Sequence, residues 1–155
     1  MYSGFEPVFN ENSRILILGS FPSVKSRDAG FFYGNPKNRF WKVVSSIFNE
    51  KISGDIEDKK CFLLKHKIAL WDVVYKCEIK GSLDSNLKCL EVSDLKRILN
   101  AAKIERIFCN GTKSHQIFCK NFQDLKQICV YLPSTSPANF KFDFELWNRE
   151  LSKYK

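Results

Sequence analysis

No stretch of this 155-residue chain approaches the roughly 20 consecutive apolar residues that a membrane-spanning helix needs. Its first twelve residues carry Glu6 and Glu11 and no apolar run, so they do not read as a secretory signal, and the expected location is cytoplasmic. Histidine is scarce, with His66 and His115 each standing alone. Cys61, Cys77, Cys89, Cys109, Cys119 and Cys129 form no C-x-x-C pair, and none is followed by a histidine at zinc spacing. An iron–sulfur cluster would want closer spacing as well. No metal site and no cofactor are expected, and the thiols read as reduced and mostly buried. Linkers, internal repeats and low-complexity tracts are also missing, which leaves one domain over residues 1–155.

What is present is a basic chain with an apolar core to build. The net charge is +8 and 44% of the residues are apolar. That balance favours a polyanionic partner, although a lysine-rich solvated surface would account for it equally well. Four apolar, β-branched runs stand out: Arg14–Gly19, Lys67–Val74, Ile104–Gly111 and Gln127–Pro133. Continuous apolar runs fit strands buried on both faces, as in a parallel sheet. Helical patterns lie between them. Pro36 suits a first helical position with Asn35 as its cap, and Phe40, Trp41, Val44, Ile47 and Phe48 then share a face. Glu57–Lys65, Ser93–Ala102 and Thr112–Lys120 read as further helices, and Phe140, Phe144, Trp147 and Leu151 form a helical stripe toward the C-terminus. Glu78–Cys89 reads as an exposed polar loop. The expected fold is a three-layer α/β/α sandwich around a mainly parallel four-stranded sheet.

Two polar loops end strands on one side of such a sheet, where open α/β sheets place their ligands. The first begins Gly19-Ser20-Phe21-Pro22 and runs on to Trp41; the second is Leu132 to Asn139. Gly19 to Ser26 nearly spells a phosphate-binding P-loop, and Asp72 mimics the acidic residue that would hold magnesium. However, Val24 stands where the second glycine belongs, and Pro22 removes a backbone N–H from the cradle.

Several polar residues have two readings at this level. Asn38 has an amide able to hold a water and a substrate group together, or it caps its own helix. Phe31, Phe32 and Tyr33 suit base stacking, or they fill the core. Ser134, Thr135, Ser136 and Pro137 suit phosphate contacts, or they form a plain turn. Asp72 and Asn110 end strands on the site side and either read a base edge or satisfy backbone groups.

The segments G-S-F-P-S, F-F-Y-G-N-P-K-N-R-F-W, A-L-W-D-V-V, C-N-G and L-P-S-T-S-P-A-N, in that order, resemble the uracil-DNA glycosylase superfamily and, within it, the hypoxanthine-DNA glycosylase branch. The resemblance runs from Ile15 to Trp147. It implies a DNA repair hydrolase that flips a deaminated base out of the stack and cuts its N-glycosidic bond, with DNA as partner and no metal. A monomer is the default expectation. In uracil enzymes the residue before the first proline is Asp or Asn; here it is Phe21. The residue before the second proline is often His or Asn; here it is Leu132. The hypoxanthine branch lacks both and uses an asparagine at the position of Asn38, so the resemblance implies Asn38 as the catalytic residue. Several relatives have a histidine where this chain has Asn35. The resemblance further implies that Gly19, Ser20, Phe21, Pro22, Phe32, Tyr33, Asp72 and Asn110 surround the base, while Ser134, Thr135, Ser136, Pro137 and Asn139 grip the DNA backbone. Two rivals stand beside this reading: removal of uracil or mismatched thymine on the same scaffold, and a DNA-binding module without chemistry.

Overall fold

The computed structural model describes residues 2–79 and 87–155. In chain order the elements are β1 (Tyr2–Ser3), β2 (Ile15–Gly19), α1 (Val24–Ala29), α2 (Phe40–Ile47), α3 (Ile56–Lys65) and β3 (Ile68–Asp72). There follow β4 (Val74–Ile79), β5 (Leu87–Val92), α4 (Lys96–Leu99), β6 (Arg106–Asn110), α5 (Thr112–Asn121), β7 (Cys129–Leu132) and α6 (Phe144–Leu151). Short 3-10 turns cover Gln123–Ile128 and Ser152–Tyr154. No helix among the described residues is long and apolar enough to cross a membrane.

The four expected strands form one sheet of order β3-β2-β6-β7, and every pairing in it is parallel. Helices flank it in an α/β architecture. The sequence logic is direct. Ile15, Leu16, Ile17 and Leu18 are all within 1% of full burial, as a strand covered on both faces requires. Each such aliphatic side chain contributes about 2 kcal/mol of transfer free energy. Trp71 and Trp147 are buried equally deeply but keep a polar handle. Trp71 Nε1 donates to the Phe5 carbonyl at 2.8 Å, and Trp147 Nε1 donates to the Pro133 carbonyl at 2.8 Å. The second bond fixes α6 against the loop that follows β7.

Four expectations change. A separate antiparallel sheet of order β1-β4-β5 joins the molecule at Val73, where the chain leaves β3 and enters β4. The segment expected as the polar loop 78–89 therefore has paired strands at both ends; its residues 80–86 lie outside the described residues. The helix expected from Pro36 begins only at Phe40, because Asn35 to Asn38 closes a turn of its own. The helix expected over Ser93–Ala102 contracts to Lys96–Leu99. Phe140 lies outside the C-terminal helix, which starts at Phe144 after Asp143 takes an extended conformation and accepts a hydrogen bond from the Leu146 N–H.

Candidate active site at the strand ends

β2 has β3 on one side and β6 on the other, so the chain reverses its direction of travel across the sheet between β2 and β6. Loops that leave adjacent strands in opposite directions open a crevice at their carboxyl ends. In register, Gly19 faces Asp72 and Asn110 faces Leu132 at this edge. A cavity of about 590 Å³ lies there, bounded by the loops after β2 and β7, the end of β3 and the start of α5.

The loop after β2 is shaped by packing. A Cβ on Gly19 would collide with the Asp72 carboxylate and lie 2.9 Å from the Tyr33 hydroxyl, so only glycine leaves both groups where they line the cavity. Ser20 and Pro22 line the cavity directly. Phe21 lines it too, yet is 8% exposed and anchored in the core. Ser23 caps α1 by accepting from the Ser26 N–H, and Ser26 in turn accepts from the Gly34 N–H at 2.9 Å. The hydroxyl that a P-loop would give to a metal is thus spent inside the loop. Phe31 and Phe32 pack edge-to-face at 5.3 Å and are 5% and 2% exposed, so both act as core, and of the two Phe32 borders the cavity. Tyr33 differs. Its φ of 53° is left-handed, which costs a non-glycine residue about 1 kcal/mol. Its ring stacks on Phe40 at 4.2 Å and its hydroxyl accepts from Asn110 Nδ2 at 3.1 Å, which together offset that cost.

Asn35 to Asn38 is a hydrogen-bonded turn. The Asn38 N–H donates to the Asn35 carbonyl at 2.9 Å, and the Lys37 N–H donates to Asn35 Oδ1 at 3.0 Å. Asn35 is consequently a turn former. Asn38 faces the cavity, and its Oδ1 accepts the N–H of Phe40 at 2.9 Å, the first residue of α2. Helix-start N–H groups need such an acceptor. The two readings of Asn38 are therefore not exclusive. Its oxygen is used at the helix entry, and its Nδ2, with no hydrogen bond among the described residues, is the end left for the cavity.

Asn110 has no such freedom. Nδ2 donates to Tyr33 Oη and to Thr135 Oγ1 at 3.0 Å, while Oδ1 accepts from the Thr135 N–H at 3.0 Å. Asn110 is 7% exposed and Thr135 is fully buried. This network holds the second loop to the sheet, and the loop's surface hydroxyls are those of Ser134 and Ser136. Asn139 Nδ2 donates to the Ser134 carbonyl at 2.9 Å. Pro137 sits in the turn Ser136–Asn139, away from the cavity lining. Arg39 joins the two loops: its Nη1 donates to the Ser136 carbonyl at 2.8 Å and its N–H to the Thr135 carbonyl at 3.0 Å.

Asp72 is 4% exposed and is the one carboxylate among the described lining residues. Between the neighbouring strands β6 and β7, the Cys109 thiol lies 3.6 Å from the Cys129 sulfur. The hydrogen bond with Cys129 and burial push the Cys109 thiol far up, so it stays protonated; the same hydrogen bond draws Cys129 down. No group of three or more His, Cys, Asp or Glu gathers at metal-binding distance among the described residues. Sequence reasoning did not include Lys113 and Tyr131, which also line the cavity. Lys113 was findable from its place at the start of the helix that follows C-N-G. Tyr131 was not, since it reads as one more strand residue.

Residues 6–152 match the family described as the Uracil DNA glycosylase superfamily. A protein of Methanosarcina acetivorans named hypoxanthine DNA glycosylase is 37% identical over 145 residues, covering 90% of this chain and 89% of that protein. One of Methanosarcina barkeri with the same name is 34% identical over 113 residues, 72% of each. The solution NMR structure of a uracil DNA glycosylase candidate from Methanosarcina acetivorans superposes with a TM-score of 0.84 at 32% identity, over 98% of this chain and 97% of that one.

Proposed function

The chain belongs to the uracil DNA glycosylase superfamily, and we propose that it hydrolyses the N-glycosidic bond of a deaminated base in DNA, hypoxanthine first. The observation that carries the reading is the polar make-up of the cavity wall. Phe21 and the fully buried Leu132 bring no proton-handling group to the two positions where uracil enzymes use one. Asn38 brings an amide whose Nδ2 hydrogens are available. The relatives named for hypoxanthine support the choice of base.

The chemistry suits this wall. A base inside a duplex shields its glycosidic bond, so the nucleotide is first extruded into the cavity. The bond then breaks with its electron pair passing to the base, leaving an oxocarbenium-like sugar. Hypoxanthine accepts that charge on its ring and O6. α5 opens onto the cavity at Thr112 and Lys113 with no side-chain cap, so its first N–H groups and the Lys113 ammonium present positive charge on that side. A water held by Asn38 Nδ2 accepts through one lone pair and keeps another for the anomeric carbon. Its oxygen bonds to the sugar, and its proton leaves to the base or to solvent. No strong base is needed, because the cation is already a potent electrophile.

The test is cleavage of duplexes that carry inosine, uracil or xanthine at one position. Release of hypoxanthine at the highest rate is the expected result. Preferential release of uracil or mismatched thymine would move the protein to the uracil-type reading. Retarded but uncut DNA with all three would reduce it to a binding module.

A further inference from the structure

The sulfurs of Cys109 and Cys129 lie 3.6 Å apart on neighbouring strands, and the mechanism above uses neither. Cys109 is fully buried, one residue before Asn110; Cys129 is half-buried at the start of β7. Their heights on the sheet differ. Cys129 stands level with Ile107, whereas Cys109 stands level with Tyr131, two positions nearer the cavity. β7 is the edge of its sheet, with β6 as its neighbour there, so it can shift along β6 without opening the pairings of β2. The thiols also differ in readiness, because the thiolate is the nucleophilic form of cysteine. The hydrogen bond from Cys109 draws the Cys129 thiol down, while Cys109 itself keeps its proton. Cys77 and Cys89 face each other in register across β4 and β5, but burial pushes both of those thiols up.

We propose that Cys129 is an oxidation site and Cys109 its resolving thiol, so that one equivalent of a peroxide ties β6 to β7 and disables the cavity at their ends. The bond stands apart from the glycosylase reading; its effect on cleavage rests on that reading. The Cys129 thiolate attacks one peroxide oxygen, the O–O bond breaks, and the departing hydroxide takes a proton and leaves as water. Cys129 then carries a sulfenic acid, which condenses with a neighbouring thiol. The Cys109 sulfur attacks the Cys129 sulfur, the S–O bond breaks, and the Cys109 proton leaves with the oxygen as a second water. Two thiols lose two electrons to one peroxide. The sulfurs must close from 3.6 Å to the roughly 2.05 Å of a disulfide. Side-chain rotation supplies part of this, and the uneven register gives the rest a direction: Cys129 is drawn toward Cys109, so β7 advances toward the cavity. Two sets of bonds span the strands that shift. Thr135 is held to Asn110 by two contacts of 3.0 Å, and the Gly111 N–H holds the Leu132 carbonyl at 2.8 Å. Oxidation therefore displaces the second loop against the first, and a dithiol reverses it by exchange.

The experiment treats the reduced protein with hydrogen peroxide, maps its peptides without reduction, and measures single-turnover cleavage of an inosine duplex alongside duplex affinity. A peptide linked through Cys109 and Cys129 should appear. Cleavage should fall about ten-fold or more, since a misplacement of about 1 Å in a site can cost up to about 100-fold. Dithiothreitol should restore it. Cys129→Ser should keep its rate through the same treatment. In Cys109→Ser the reaction should stop at the sulfenic acid, and Cys129 should take up dimedone. A link between Cys77 and Cys89 instead, no link at all, or a Cys109–Cys129 link that leaves cleavage unchanged would overturn the proposal, as would equal inactivation of Cys129→Ser. If the reduced protein cuts no substrate, the glycosylase reading fails by itself. The peptide map then still decides the oxidation site, and duplex affinity before and after peroxide decides whether the loop moves.

Discussion

The loops after β2 and β7 face each other across one cavity, and they differ in what anchors them. The first sinks Phe21, Phe31 and Phe32 in the core and closes its own turns through Ser23, Ser26 and Asn35. The second is held by hydrogen bonds, from Asn110, Asn139, Arg39 and Trp147, and turns its hydroxyls and Phe140 outward. Packing gives shape and excludes water, as a pocket for a flat base needs. Hydrogen-bonded turns leave polar groups at the surface, as a phosphate grip needs. The contrast is sharpest between two identical side chains. Asn110 and Asn38 sit on the same rim, but Asn110 is saturated and Asn38 keeps one end available.

The largest effect should come from Asn38. Asn38→Ala should lower single-turnover cleavage of inosine DNA at least about 100-fold, the scale of losing one positioned donor in a site. The accompanying loss of stability should stay near 1 kcal/mol, that of a missing helix cap. Asn38→Asp sharpens the test. It can still accept from Phe40 N–H and so should melt like wild type, yet at neutral pH its carboxylate offers no N–H and should be comparably slow. An Asp variant as fast as wild type would show that the residue works as an acceptor.

Asn110→Ala should show the converse pattern. It strands the buried Thr135 N–H and loosens the Tyr33 hydroxyl, so unfolding should become easier by about 1–3 kcal/mol. Cleavage measured well below the melting point should remain within several-fold of wild type. A folded Asn110→Ala that fails to cut would merge the two asparagines into one function. The smallest effect belongs to the link between the loops. Arg39→Ala removes a charged hydrogen bond and the contact with Phe142, and should weaken duplex binding several-fold, with about 1.5 kcal/mol at stake. The cleavage rate of bound substrate should hold. Titration of a labelled duplex, with single-turnover rates measured alongside, separates the two quantities.

The central sheet was legible because buried parallel strands leave unbroken apolar runs. β2, β3, β6 and β7 fall inside the four expected segments, trimmed by one or two residues at most ends. The second sheet was not, because an antiparallel edge sheet is half solvated. In Tyr75-Lys76-Cys77-Glu78 polar and apolar residues mix, and β5 returns the same pattern. Pro36 misled for a definite reason: proline suits the second position of a turn as well as it suits a helix start, and the two amides flanking it closed the turn. Phe140 misled through its four-residue spacing to Phe144. A better signal lay between them, since Asp143 followed by Glu145 marks a helix entrance. The motifs located the cavity, and strand register explains why, since Gly19, Asp72, Asn110 and Leu132 all end strands at one edge. What no spacing could tell was how each amide is used, because that depends on neighbours from distant loops.

Asn110 is followed by Gly111, the pairing of residues most prone to spontaneous loss of an amide with age, because an unhindered backbone nitrogen can attack the side-chain carbonyl carbon. Here both reactants are restrained. The Gly111 N–H donates to the Leu132 carbonyl at 2.8 Å, and the Asn110 amide is held at both ends. Ring closure to a succinimide would need those bonds to open together. The chemical lifetime of this asparagine is therefore set by how often the strand ends come apart, and a protein that acts on deaminated bases shields its own most vulnerable amide by folding around it.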